Sequence, residues 1–300
     1  MGNLKLFSEY GKNLKEISWL VSGMLTEGGT SLLAGDPKSG KSQFVRHLIS
    51  SLLNKTEFLN SEITNIDKII YLALEETPNE LKKYINDLGI DDTREDLIIG
   101  DRAWSTGKEN ILELEADIKK FKPSLCIIDT FVAYSDLNDM NDYAKVYKAL
   151  QAIAQIARQE NCHILIVHHK NKGDASGAKS IMGSQAFFGA VDSALLLSGE
   201  GDHKTLNIEP RYTARREITF TMSPSEISNI TDNLKGITCK EALLVKIKSN
   251  EGGYEFRSFS GFSKQAKQLA KSQLLEEGLI NEVSGISGKP TMLFLNQMPN

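Results

Sequence analysis

The chain has 300 residues, and 35 Lys and Arg set against 39 Asp and Glu give it a formal net charge of −4. Hydrophobic residues at 40% and charged residues at 25% are a globular composition that excludes a disordered chain. No apolar run approaches the roughly 20 residues of a membrane span, which excludes a membrane protein. The N-terminus lacks the apolar core of a signal peptide, and Gly2 after Met1 has no second lipid-anchor signal beside it. Cys126, Cys162 and Cys239 are odd in number and dispersed, which fits the reducing cytoplasm rather than a disulfide framework or a cysteine-rich metal site. The mild acidity predicts no general attraction to nucleic acid, so local basic patches must supply any.

A polar lead-in over 1–22 ends in Ile17, Trp19, Leu20 and Val21. Gly28 and Gly29 open the first predicted strand, Thr30–Ala34. A Gly-rich turn follows, then a helix from Lys41 to Leu53, where Phe44, Val45, Leu48, Ile49 and Leu52 have helical spacing. Ile69–Leu74 is a short continuous apolar run and reads as a buried strand. Thr77-Pro78 opens the next helix, residues 109–121 are helical, and Pro123 precedes a third strand, Leu125–Ile128. An amphipathic helix over 142–160 leads to strands His163–Val167 and Ser193–Leu197. Apolar strands alternating with helices imply an α/β fold with a mostly parallel sheet covered on both faces. The alternation ends near 222, so 1–222 reads as the first domain and the polar stretch 223–237 as a linker. Residues 238–300 predict helices over 240–249 and 263–277, then a hairpin of LINEV and TMLFL: a small winged helix.

The chemistry concentrates where strands end. Gly35-Asp36-Pro37-Lys38-Ser39-Gly40-Lys41-Ser42, followed by Gln43, fits G-x-x-x-x-G-K-[ST] between a strand and a helix. The glycines let backbone N–H groups turn toward phosphate oxygens, and the helix N-terminus adds a favourable dipole. Lys41 is expected on the β- and γ-phosphates of ATP and Ser42 on Mg²⁺. Asp129, closing its strand, is the expected second Mg²⁺ contact, held through water. Glu75 is the first choice for the residue that orients or deprotonates the attacking water, with Glu76 second. His168 and His169 lack partners at metal-ligand spacing, which argues against zinc and suggests a polar group that contacts the γ-phosphate.

WLVSGML, GGTSLLAGDPKSGKS, YLALEET, LCIIDT and LIVHHKNKGD…IMGSQAFFGAVDSALLL, in that order over roughly residues 15–222, resemble the RepA-type branch of the RecA-like ATPases. That branch holds hexameric replicative helicases of plasmids and phages and is similar in its core to DnaB-type helicases. The resemblance implies a RecA-like ATPase core, Lys41 and Ser42 on phosphate and Mg²⁺, Glu75 as catalytic glutamate, Asp129 in the second acidic motif and His169 as γ-phosphate sensor. Arg211 falls where relatives carry a basic residue that reaches the neighbouring subunit's nucleotide, with Arg215 and Arg216 close by. A homo-oligomeric ring, nucleotide between subunits and single-stranded DNA in the channel are implied as well.

Two stretches are candidate channel loops: Phe131–Asp142, whose Asp136, Asp139 and Asp142 argue against direct phosphate contact, and Lys170–Ile181, with Lys170, Lys172 and Lys179. Residues 238–300 hold eight basic and six acidic residues, against a net −6 for the remainder. Lys264, Lys267 and Lys271 share one helix face there, with Leu269, Leu274 and Leu275 packing on the other side, a pattern suited to duplex DNA or to a protein partner. The expected function is an ATP-hydrolysing DNA motor, a ring-forming helicase of a mobile element. The alternatives are a recombination or DNA-pairing ATPase that does not unwind, and a nucleotide-gated regulator.

Overall fold

The structure, a computed structural model, describes residues 17–64, 66–101, 108–135, 142–170, 184–235, 239–250, 253–258, 264–283 and 291–296, with Phe7 by itself. They form two compact units, the first reaching Thr213 and including Ile218–Asp232, the second combining Ala214–Glu217 with the described residues from Asn233 on.

The first unit begins with a small hairpin, β1 (Trp19–Val21) and β2 (Leu25–Thr26). Then come β3 (Thr30–Gly35), α1 (Lys41–Asn54), β4 (Ile69–Ala73), α2 (Pro78–Asp87), β5 (Leu97–Gly100), α3 (Lys108–Phe121) and β6 (Leu125–Asp129). A single helical turn, α4 (Phe131–Tyr134), precedes α5 (Tyr143–Gln159), β7 (His163–His169), α6 (Ser184–Ala190) and β8 (Ser193–Ser198). Three further strands follow: β9 (His203–Pro210), β10 (Arg215–Met222) and β11 (Ile227–Lys235). They build a nine-stranded sheet in the order β11-β10-β9-β8-β3-β7-β6-β4-β5. From β8 to β5 the pairings are parallel, and β9 joins β8 antiparallel.

Alternation along each strand splits the core in two. Leu33, Leu125, Ile127, Leu165 and Val167 face Phe44, Leu48 and Leu52 of α1. Leu32, Ala34, Cys126, Ile128, Ile164 and Ile166 face Leu114, Ile118, Leu150 and Ile153 of α3 and α5. Both faces are covered, so the strands are apolar throughout. α2 starts with a full capping box, Thr77 accepting from the Glu80 N–H while Glu80 accepts from the Thr77 N–H, with Pro78 in the first turn.

Two expectations change. β5 was not foreseen, because it is a half-buried edge strand of four residues. The stretch 223–237, read as a linker, instead carries a turn closed by Ser223 N–H to Glu226 O (2.8 Å) and then strand β11. Its polar composition reflects a position at the sheet edge, where Ile227 and Ile230 pack toward the core.

In the second unit, α7 (Cys239–Lys248), β12 (Tyr254–Glu255), α8 (Lys264–Glu276), β13 (Ile280–Val283) and β14 (Met292–Leu295) surround Leu243, Ile247, Ala270, Leu274, Ile280 and Leu293. The strands form a sheet in the order β12-β14-β13. Leu269, expected to pack, is exposed, because Ala270 and Leu274 at i, i+4 take the inner face of α8.

Phe44 ties α1 to the sheet, packing edge-on to Phe58 at 5.2 Å and against Phe220 at 6.1 Å with no exposed surface. Phe44→Ala is expected to cost about 3–5 kcal/mol of unfolding free energy, read as a lower denaturant midpoint with an unchanged slope.

Candidate nucleotide-binding site

Sheet order brings the chemistry together. β3, β7, β6 and β4 are successive parallel neighbours, so the residues following their carboxyl ends share one rim. Gly35, at the end of β3, pairs with His169 in register, and Ala73 pairs with Asp129.

The loop from Gly35 to Lys41 is built on close approaches. A Cβ on Gly35 would lie 2.7 Å from both Leu197 O and Ser39 Oγ, which no side chain tolerates. Gly40 has φ 95°, outside the comfortable range of other residues. Ser39 N–H donates to Asp36 O (3.1 Å), closing the turn, and α1 starts without a side-chain cap. Lys41 is only 5% exposed and folds back across the loop, donating from Nζ to Gly35 O (3.1 Å) and Asp36 O (2.9 Å). Burial lowers its pKa, while Asp129, Glu75 and Asp36 oppose the shift. The buried Ser39 hydroxyl makes no hydrogen bond.

Asp129 is 4% exposed and accepts from Tyr71 Oη (3.1 Å) and from the Ser42 hydroxyl. Burial pushes its pKa up to about 6 despite these two bonds, and Glu76 and Glu75 add to the rise. A buried carboxylate joined to a hydroxyl beside the loop is a donor set that fits a hard divalent cation.

The two glutamates are treated differently. Glu76 forms an ion pair with Arg46 (2.5 Å), and the guanidinium also lies 4.5 Å over the Tyr84 ring. Glu75 remains half exposed, accepting from Thr130 Oγ1 (2.6 Å), with His169 Nε2 at 3.9 Å. Burial and then Lys41 lower the His169 pKa against the pull of Glu75, keeping the ring neutral near pH 7. His168 instead stacks on Phe187 at 4.5 Å inside the core. Tyr71, Thr130 and Arg46 were missed in the sequence. A tyrosine inside the apolar IIYLAL run was the one local sign of a buried polar partner.

Arg211 is not on this rim. Pro210 pairs with Ser193, and Arg211 donates to Asp192 Oδ1 (3.1 Å) and Val191 O (3.1 Å) at the amino end of β8. The loop starts at Gly35, opposite Leu197 and four residues farther along β8, which separates the two ends by more than about 13 Å. Arg215 is exposed and Arg216 buried in β10. Of the first candidate channel loop, Phe131 and Tyr134 are buried in α4, Asp142 caps α5, and Asp136 and Asp139 lie outside the described residues. Lys170 is half-buried and its N–H donates to Gly35 O (3.1 Å), whereas Lys172 and Lys179 lie outside the described residues. In the second unit Lys271 pairs with Glu282 (2.7 Å) and lies 5.1 Å over the Phe256 ring. Lys267 is half-buried, and the Lys264 side chain lies outside the described residues.

A family model described as an AAA domain matches residues 4–175. Among curated proteins, the chain is 25% identical over 194 residues to the DNA repair protein RadA of Listeria monocytogenes, covering 64% of this chain and 37% of that one. It is 25% identical over 235 residues to RadA of Brucella abortus, covering 74% and 46%. To RadA of Synechocystis it is 23% identical over 244 residues, covering 75% and 44%. The chain thus spans less than half the length of these relatives. The match and the sheet support a RecA-like P-loop ATPase core.

The raised Asp129 value carries a stability prediction. With a folded pKa of about 6 against an ordinary 3.8, the folded state keeps a proton that the unfolded chain releases, so this contribution is complete below about pH 4 and is lost as pH rises through about 6. In nucleotide-free, metal-free buffer, the stability of Asp129→Asn relative to wild type should rise between about pH 4 and 7, by on the order of 3 kcal/mol. A difference that stays flat across that range contradicts the assignment.

Proposed function

The chain belongs to the AAA domain family, and from that premise we propose that it is a DNA-dependent ATPase. The reading is carried by the convergence of Lys41, Ser42, Glu75, Asp129 and His169 on one rim of the sheet. In this reading the backbone N–H groups of 38–43 receive the phosphates, and Lys41 exchanges the carbonyls of Gly35 and Asp36 for phosphate oxygens. Ser42 and Asp129 would hold Mg²⁺, which supplies neutralising charge to the triphosphate. Glu75 orients and deprotonates the attacking water, with Thr130 fixing its carboxylate. Glu76, paired with Arg46, is the second choice for that role. His169, neutral and beside both Glu75 and Lys41, is the group that contacts the γ-phosphate.

Single-stranded DNA is the proposed partner, and the similarity to DNA repair proteins supports it. The N–H of Lys170 is bonded to Gly35, so the segment carrying Lys170, Lys172 and Lys179 starts from the phosphate loop itself. DNA on those lysines would therefore be coupled to the nucleotide. A cytoplasmic repair or recombination ATPase is the favoured form. A ring helicase, with a hexamer as its assembly, is the second reading. The position of Arg211 supports it, since Arg211 is remote from its own loop and any nucleotide it completes must be a neighbour's. The second unit's two helices and paired strands support a winged helix for duplex DNA, with Lys264 and Lys267 the candidate contacts and Lys271 held by Glu282.

The decisive test is the ATPase rate with and without single-stranded DNA, with the assembly sized in parallel. Stimulation is expected; slow hydrolysis indifferent to DNA would favour a nucleotide-gated regulator. Glu75→Gln should lower turnover by roughly 10²–10⁴-fold while ATP still binds. If Glu76→Gln shows that loss and Glu75→Gln does not, the base is the other residue.

A further inference from the structure

Lys204 is 8% exposed, yet it makes no hydrogen bond or ion pair among the described residues. The other buried cations beside the loop are provided for: Lys41 has two carbonyls, and Arg46 has Glu76 and the face of Tyr84. The Lys204 stem is covered, while its ammonium, which is not among the fully buried polar atoms, keeps an open side on which a ligand can reach it.

Its place in the fold identifies that ligand. β9 runs antiparallel to β8 with Thr205 opposite Ser198, so Lys204 stands at the carboxyl end of the parallel strands, the end that carries the phosphate loop. It shares a strand face with Leu206 and Ile208, which pack into the core beneath α1. A Cβ built on Gly40 would lie 3.7 Å from Lys204 Cε and 2.7 Å from Met222 Cε, so the lysine runs against the residue from which α1 starts. The hairpin end is fastened there: Met222 N–H donates to Asp202 O (2.8 Å), and His47 Nε2 of α1 lies 2.9 Å from Ser223 O. The first turn of α1 contains no acidic residue. Among the described residues, a lysine without an ion-pair partner is thus set against the positive end of a helix dipole that has no acidic residue in its first turn. Two convergent positive sources without a counter-charge specify an anion.

We infer that Lys204 is a second cation for the phosphate chain of a nucleoside di- or triphosphate on the Gly35–Gln43 loop, supplied by the same polypeptide. The inference rests on the phosphate-loop reading and adds to it a positioning residue from the antiparallel part of the sheet. This role is distinct from that of Arg211, which sits at the opposite end of β9.

The test uses the full chain with ATP and with ADP, followed by titration and by thermal unfolding, in wild type, Lys204→Met, Lys204→Arg and Lys41→Ala. Lys204→Met removes the charge and keeps the stem. It should leave the nucleotide-free melting temperature near wild type, because the packing of the stem is kept and no ion pair or hydrogen bond of the side chain is lost. Nucleotide affinity should fall by roughly 10- to 100-fold, and the nucleotide-induced rise in melting temperature should shrink with it. Lys204→Arg should recover part of the affinity. If wild type binds ATP and Lys204→Met binds it as tightly, the inference is overturned while the loop reading stands. A Lys204→Met protein that loses affinity only in step with a lower nucleotide-free melting temperature also overturns it. A wild type that binds no ATP, or a Lys41→Ala protein that binds like wild type, overturns the loop reading and this inference together.

Discussion

Lys41 must remain a cation with 95% of its surface covered, and much of the site follows from that constraint. It is 5% exposed, and burial lowers its pKa. The compensation comes from two backbone carbonyls of its own loop and from carboxylates on the two strands beyond. Those carbonyls are in reach only because the loop turns back on itself, which requires Gly35 to pass within contact distance of Leu197 O and Ser39 Oγ. The carboxylates are in reach only because β6 and β4 follow β3 and β7 across the sheet. A held cation whose partners are weak acceptors is a group ready to exchange them for phosphate oxygens.

The same arrangement assigns different states to acids that look alike in the sequence. Asp129 is enclosed and its pKa is raised, whereas Glu75, three strands from the loop, stays in contact with solvent. Glu76 is paired with Arg46 from α1, so the helix that presents the phosphate loop also engages one of two competing carboxylates. A divalent cation between Ser42 and Asp129 would offset the burial of Asp129, which the hydrogen bonds from Ser42 and Tyr71 offset only in part.

Much of this was legible in the sequence because the parallel strands are covered on both faces. TSLLA, IIYLAL, LCII and HILIV are largely apolar, and Gly35, Glu75, Asp129 and His169 come at or just after their ends, on the rim. The phosphate loop was legible because glycine spacing reports a backbone path directly. The pairings were not, since Arg46 with Glu76 and Tyr71 with Asp129 join residues 30 and 58 apart. The edge strands were obscured for the opposite reason: β11 is polar on its open side and imitated a linker, and β5 is too short and too exposed to stand out. Lys204 was invisible because a lysine in an alternating strand reads as its solvent-facing residue. Here its parity with Leu206 and Ile208 turns it inward. In α8, lysines three and four residues apart suggested one helix face, and the pairing of Lys271 with Glu282 was not legible there.

The central claim is that the rim from Gly35 to His169 is a nucleotide site in which Lys41 trades carbonyls for phosphate. The most direct measurement is a crystal structure of the protein with Mg²⁺ and a non-hydrolysable ATP analogue. The account predicts the triphosphate on the Gly35–Gln43 loop, Lys41 Nζ released from Gly35 O and Asp36 O onto phosphate oxygens, and Glu75 left facing the terminal phosphate. An analogue bound elsewhere, or bound on the loop with Lys41 still on its two carbonyls, contradicts it.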